Sequence, residues 1–192
     1  MKKICFLLCM WIVVLVPTCS CSTTDATTAN VNDVPLIDNS TIDFFDVSRY
    51  MGKWFEIARY ENRFERGMSH VTATYSQTPE GKIKVLNEGL KKGKLHTSKG
   101  RAYLPDPYYF PGQLRVSFFL WFYSDYYILE LDQTAYQYAI VGSSSADYLW
   151  ILYRKPVMPD ELLSNLLERL TKRGYDTTRF IFVDQSPITV SN

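Results

Sequence analysis

The chain has 192 residues, 46% of them hydrophobic, which suffices for one domain with its own core and no covalent staples. Lys2 and Lys3 are the only charges in the first 21 residues, so the remainder carries 19 basic against 20 acidic residues, without the basic footprint of a nucleic-acid binder. All four cysteines (Cys5, Cys9, Cys19 and Cys21) lie at or before residue 21, which excludes an intrachain disulfide, a cysteine-rich metal site and a cysteine nucleophile from everything after it.

The chain begins Met1-Lys2-Lys3 and continues with a 13-residue apolar run, 4–16, matching the basic and apolar regions of a secretory signal. As a helix this run spans about 20 Å at ~1.5 Å per residue, short of a bilayer core of ~30 Å. Pro17-Thr18-Cys19-Ser20-Cys21-Ser22 follows and resembles a bacterial lipoprotein processing site, at which cleavage precedes a lipidated cysteine. Cys21, with the small Ser20 before it, is the favoured anchor. Cys19, with Val16 three positions back, is the alternative, and an ordinary secretory signal with incidental cysteines is a third reading. The expected organisation is a signal over 1–20, an anchor and flexible tether over 21–41, and the folded domain over 42–192. The stretch 22–41 is rich in Ser, Thr, Asn and Asp and has no aromatic residue, the composition of a tether.

From residue 54 to 154 short β-prone segments recur about every 12 residues: 54–61, 69–77, 82–88, 99–104, 113–119, 126–131, 136–142 and 148–153. Turn chemistry separates them, at Thr78-Pro79-Glu80-Gly81, Lys92-Gly93, Pro105-Asp106-Pro107 and 143–147. Val71, Ala73 and Tyr75 alternate with Thr72, Thr74 and Ser76; Leu114, Val116 and Phe118 alternate with Arg115 and Ser117. Each such strand has one apolar and one wet face. After Pro156 the period changes. Leu162, Leu163, Leu166, Leu167 and Leu170 share one helical face, Pro159-Asp160-Glu161 suits a helix start, and Lys172-Arg173-Gly174 suits its end. Segment 180–183 (FIFV) reads as a last short strand. Eight strands, an amphipathic helix and a final strand predict a sheet closed on itself with the helix outside, and an eight-stranded barrel has room for side chains or one small ligand.

Within this frame Gly52-Lys53-Trp54 resembles the G-x-W signature of the lipocalins, with Asp46–Tyr50 similar to the 3₁₀ turn that closes their barrel floor. Tyr148-Leu149-Trp150-Ile151-Leu152-Tyr153-Arg154 resembles their last-strand motif, ending in its arginine. Asn62–Gly67 and Val71–Tyr75 are similar to the subgroup of bacterial lipocalins, apolipoprotein D and plant temperature-induced lipocalins. The second family motif departs from its pattern, since Ala135 stands where the family has an aspartate, with Asp132 nearby. The resemblance covers about 42–185. It implies an all-β, eight-stranded antiparallel up-and-down barrel with a C-terminal α-helix packed outside and a short final strand. Gly52, Trp54 and Arg154 are then structural, the guanidinium lying over the indole at the closed end.

Trp54 pointing inward carries Glu56, Ala58 and Tyr60 inward by alternation, and Arg154 does the same for Leu152, Trp150 and Tyr148. The expected ligand-binding residues are Glu56, Ala58, Tyr75, Val116, Phe118, Tyr123, Tyr138, Tyr148 and Trp150. Glu56 reads either as a polar handle for a ligand or as a floor residue held by hydrogen bonds. The aromatic run 118–123 (FFLWFY) is expected in a loop, as core, as mouth lining, or as an exposed patch for membrane or protein. Lys91-Lys92-Gly93-Lys94 reads as a solvated loop, or as a site of attraction to anionic lipid headgroups.

His70 and His96 lie on or beside different strands without ligand spacing, so no metal site is expected, and no cofactor. No G-x-S-x-G, Walker loop or dinucleotide fingerprint is present. By resemblance the implied function is binding and storing or transporting amphiphilic lipids, a fatty acid or lysophospholipid. The chain is expected to be lipid-anchored in the bacterial cell envelope, in the outer membrane at its periplasmic face. An enzymatic role of the kind a few lipocalins have, and an interaction module or homodimer built on the aromatic mouth, are the alternatives.

Overall fold

A computed structural model describes residues 37–188. The signal run, Cys19, Cys21 and the tether up to residue 36 lie outside the described residues. Asp46 caps a single turn of helix, α1 (Val47–Tyr50), its carboxylate accepting from the amides of Ser48 and Arg49. Eight antiparallel strands follow: β1 (Gly52–Tyr60), β2 (Met68–Gln77), β3 (Ile83–Lys91), β4 (Lys94–Tyr103), β5 (Gln113–Phe119), β6 (Phe122–Leu131), β7 (Tyr138–Gly142) and β8 (Leu149–Tyr153). Each strand pairs with its neighbours in sequence, and β8 returns to β1, from Phe55 opposite Tyr153 to Arg59 opposite Trp150. This is the up-and-down barrel that removes the sheet edges. Helix α2 (Asp160–Lys172) packs outside it, and β9 (Phe180–Phe182) adds to the outer edge of β1 through Ala58, Arg59 and Tyr60.

Two apolar cores follow from strand alternation. The inner one includes Tyr50, Trp54, Tyr75, Val85, Ala102, Leu114, Val141 and Leu152. The outer one sets Ile57, Ile140, Leu149 and Ile151 against Leu166 and Leu170 of α2. The leucine spacing in the sequence thus marks the face that α2 buries.

Three sequence expectations are corrected. Strand β4 begins at Lys94, five residues before the expected start, because Lys92 and Gly93 (φ 52° and 73°) form a two-residue turn that keeps Lys91 opposite Lys94. The lysine run is therefore a tight hairpin rather than a loop. The aromatic run is a hairpin too: β5 and β6 pair up to Phe119 opposite Phe122, with Leu120 and Trp121 at the tip. Strand β7 begins at Tyr138, since Tyr136 (φ 55°) is a buried turn residue whose hydroxyl accepts from the Asp46 amide. The departure at Ala135 is absorbed locally. Asp132 accepts from the amides of Thr134, Ala135 and Gln137 and holds the same turn.

Candidate functional site

At the closed end of the barrel the Arg154 guanidinium lies 3.8 Å from the centroid of the Trp54 ring. It donates to the carbonyls of Tyr136, Lys53, Arg49 and Tyr50 at 2.8–3.2 Å, and the Trp54 indole N–H donates to the Tyr50 carbonyl at 2.9 Å. Gly52 has φ 96°, and a Cβ there would sit 3.3 Å from Arg154 Nη1. A planar cation on an indole face, also bonded to four carbonyls, seals this end and fastens α1 to β1 and β8.

Above this floor three tyrosine hydroxyls meet inside the barrel. Tyr126 Oη is 2.6 Å from Tyr50 Oη and 2.9 Å from Tyr75 Oη. Burial pushes all three phenols up from their ordinary range. Nearer the other end lies a buried ionic grouping. Arg59 Nη1 donates to Glu56 Oε1 at 2.7 Å and Nη2 donates to the Glu65 carbonyl at 2.8 Å. The Glu65 carboxylate turns in from the β1–β2 connection and accepts from the Trp150 indole at 3.0 Å and from the Asn62 amide at 2.7 Å. Burial, and then the neighbouring charge of Glu65, hold the Glu56 carboxyl well above its ordinary range, against the pull of Arg59. Among the described residues, two buried side-chain atoms have no hydrogen-bond partner, Arg59 Nε and Asn87 Oδ1. Arg59 stands opposite the inward Trp150, and Asn87 continues the inward series of Ile83 and Val85.

The expected ligand residues divide by face. Glu56, Tyr75, Val116 and Trp150 lie on the inner side, and Tyr148 stacks on Trp150 at the rim, ring centroids 6.0 Å apart. Phe118, also toward the rim, lies over Gly100, where a Cβ would come within 2.7 Å of its ring, and it is partly exposed. Four side chains expected inside are elsewhere. The register of β1 against β8 shifts between Glu56 and Ala58, and this β-bulge reverses the alternation. Ala58 and Tyr60 therefore belong to the outer core, Tyr60 packing on Phe180, and Arg59 takes the interior place. Tyr123 is on the outer wall, accepting from Arg101 and edge-on to Tyr103. Tyr138 faces α2, its hydroxyl accepting from Arg169.

Sequence reasoning missed Arg59, Glu65, Asn87 and Tyr126. Tyr126 had a signal, since it stands opposite Leu114, whose inward face was legible. Arg59 had none, because nothing in Ile57-Ala58-Arg59-Tyr60 marks an inserted residue.

The Lipocalin-like domain family matches residues 45–185. The chain is 42% identical over 143 residues to the outer membrane lipoprotein Blc of Vibrio cholerae, covering 73% of this chain and 83% of that one. It is 41% identical over 150 residues to the outer membrane lipoprotein Blc of Escherichia coli K12, covering 76% and 82%. Among solved structures, insecticyanin of Manduca sexta superposes with a TM-score of 0.65 at 24% identity, over 76% of this chain and 83% of that one, a likeness of fold.

Proposed function

The chain belongs to the lipocalin family, in its bacterial lipocalin subgroup, and from that membership we propose that it holds an amphiphilic lipid, a fatty acid or lysophospholipid, inside the barrel. Lipocalins are in general binding and transport proteins for small hydrophobic molecules. The observation that carries the finer reading is the pair of unpartnered buried polar atoms, Arg59 Nε and Asn87 Oδ1, the first on the arginine that pairs with Glu56. Buried polar groups without partners are rare and need a reason. A headgroup lodged at this level supplies the missing bonds while its acyl chain runs along Val85, Val116, Val141 and Leu152 toward the tyrosine hydroxyls. Each CH₂ sequestered contributes on the order of 0.8 kcal/mol. Burial alone drives the uptake, and no covalent step is involved.

The test is direct. Native mass spectrometry of the purified chain is expected to detect co-purifying lipid, and added lysophospholipid to quench tryptophan fluorescence. Trp150→Ala removes a wall of the interior and a bond to Glu65, and is expected to weaken lysophospholipid binding about tenfold, a loss of ~1.4 kcal/mol. Absence of co-purifying lipid together with flat titrations for the native chain sinks the reading.

The place of action we propose is the bacterial cell envelope, with the domain held by an N-terminal lipid in the outer membrane at its periplasmic face, for storage or carriage of lipid during envelope maintenance or stress. Two supports are the cysteines at the end of the apolar leader and the similarity to two proteins named outer membrane lipoproteins. Metabolic labelling with a clickable fatty acid is expected to mark the native chain and to be lost in Cys21→Ser, or in Cys19→Ser if that residue is the anchor. Label that survives the double substitution rules out the anchor.

A further inference from the structure

The end of the barrel opposite the Trp54–Arg154 floor carries two neighbouring hairpin turns of unlike chemistry. One is the β5–β6 tip, where Phe119, Leu120, Trp121 and Phe122 are 67%, 51%, 72% and 68% exposed. The other is the β3–β4 turn, flanked by Lys91, Lys92 and Lys94. Strands β3 to β6 are consecutive neighbours, so both turns project from the same end. Residues 89–101 carry five basic side chains and no acidic one, and 116–124 carry no charge at all.

We propose that this pair of turns is a docking surface for a phospholipid bilayer with anionic headgroups, the aromatic tip entering the interface and the lysine turn resting on the phosphates. Three features favour that occupant. The tip's backbone is prepared for a medium that offers no hydrogen bonds: the Ser117 hydroxyl donates to the carbonyls of Phe119 and Leu120, and Arg101 donates to the Leu120 carbonyl. The tip is aromatic with tyrosine and arginine at its base, Arg101 also donating to the Tyr123 hydroxyl at 2.8 Å, the amphipathic order of a membrane-interface belt. The adjoining charge is complementary to an anionic surface, each Lys or Arg near such a surface contributing about 1 kcal/mol. A second copy of the chain meeting this end symmetrically brings like charges together instead. The proposal does not depend on the lipid anchor. The end that carries the rim of the barrel then faces the source of its ligand.

The test uses the full chain reconstituted in vesicles of phosphatidylcholine and phosphatidylglycerol, with and without brominated acyl chains. Subtracting the fluorescence of a Trp121→Phe chain, whose circular dichroism checks its fold, isolates Trp121 from the other three tryptophans. The Trp121 signal is expected to fall by half or more in brominated vesicles. That quenching is expected to be at least twofold weaker in pure phosphatidylcholine, or with Lys91, Lys92 and Lys94 changed to Glu. A Trp121 signal equally bright with and without bromine overturns the proposal. If that signal is also shielded from acrylamide without lipid, the occupant is a second copy. Quenching indifferent to lipid charge and to the lysine substitutions overturns the anionic part.

Discussion

Trp54→Ala is expected to destabilise the domain by about 3–5 kcal/mol, read as a fall in the urea midpoint with an unchanged slope. The indole is fully buried and is a hub of the inner core, packing on Tyr50 with ring centroids 4.8 Å apart. It is also the surface on which Arg154 rests. Removing it leaves a void too enclosed to collapse and deprives the guanidinium of its platform. Arg154→Lys tests the second half of the argument. A lysine keeps the charge but offers three donors from one atom, where Arg154 reaches four carbonyls on three segments. The conservative change is therefore expected to be clearly destabilising, and a neutral Arg154→Lys shows that the floor rests on charge alone.

Arg59→Met is expected to cost about 3–5 kcal/mol at pH 8, because it leaves the buried Glu56 carboxyl without its cation and the Glu65 carbonyl without its donor. The cost should shrink toward pH 5, and the sign follows from Glu56. Its carboxyl titrates well above the ordinary 4.5 in the folded chain, with burial the main cause and the Glu65 charge next. A carboxyl raised in this way contributes stability that is whole below its unfolded value and is lost as pH rises through its folded value. The native chain is thus expected to lose stability between pH 5 and pH 8 relative to Glu56→Gln, which carries no titrating proton and keeps an acceptor for Arg59. Urea midpoints of both chains at the two pH values decide the matter. Parallel profiles show that Glu56 is ionised throughout, held by Arg59 as a full ion pair.

The interior of the barrel and the turns proposed to meet the bilayer make one physical scheme. The polar level at Glu56, Arg59 and Glu65 lies toward the end that carries the aromatic tip, and the tyrosine hydroxyls lie toward the sealed floor. On the proposed function, a lipid entering from that end passes its apolar chain inward and leaves its headgroup at the first level where hydrogen bonds are unmade.

Much of this architecture was legible from residue order. Alternation through Val71, Ala73 and Tyr75, and through Leu114 and Val116, placed two strands with the correct face inward. The leucine spacing in α2 named Leu166 and Leu170, which the fold buries completely. Gly52, Trp54 and Arg154 marked the closed end through the lipocalin resemblance, and the guanidinium lies over the indole there. The polar site was half legible. Glu56 was placed inside correctly because it lies on the Trp54 side of the bulge, and Arg59 was lost because it lies beyond.

What the sequence by itself determined is therefore what short-range periodicity carries, the number of strands, their faces short of each bulge and the buried stripe of the helix, with the chemistry of the floor added by the family resemblance. What only the tertiary structure decided is where that periodicity breaks. The bulge between Glu56 and Ala58 exists because β1 must satisfy β8, β2 and β9 in one closed sheet. A second shift between Ile128 and Glu130 likewise turns Glu130 out to Arg169 and Leu131 in to the core. Barrel closure imposes these shifts through strands distant in sequence, and each exchanges inside for outside in everything beyond it. The aromatic run followed the same rule. Its composition suited core, mouth or surface equally, and only the pairing of Phe119 with Phe122 put Trp121 at a projecting tip.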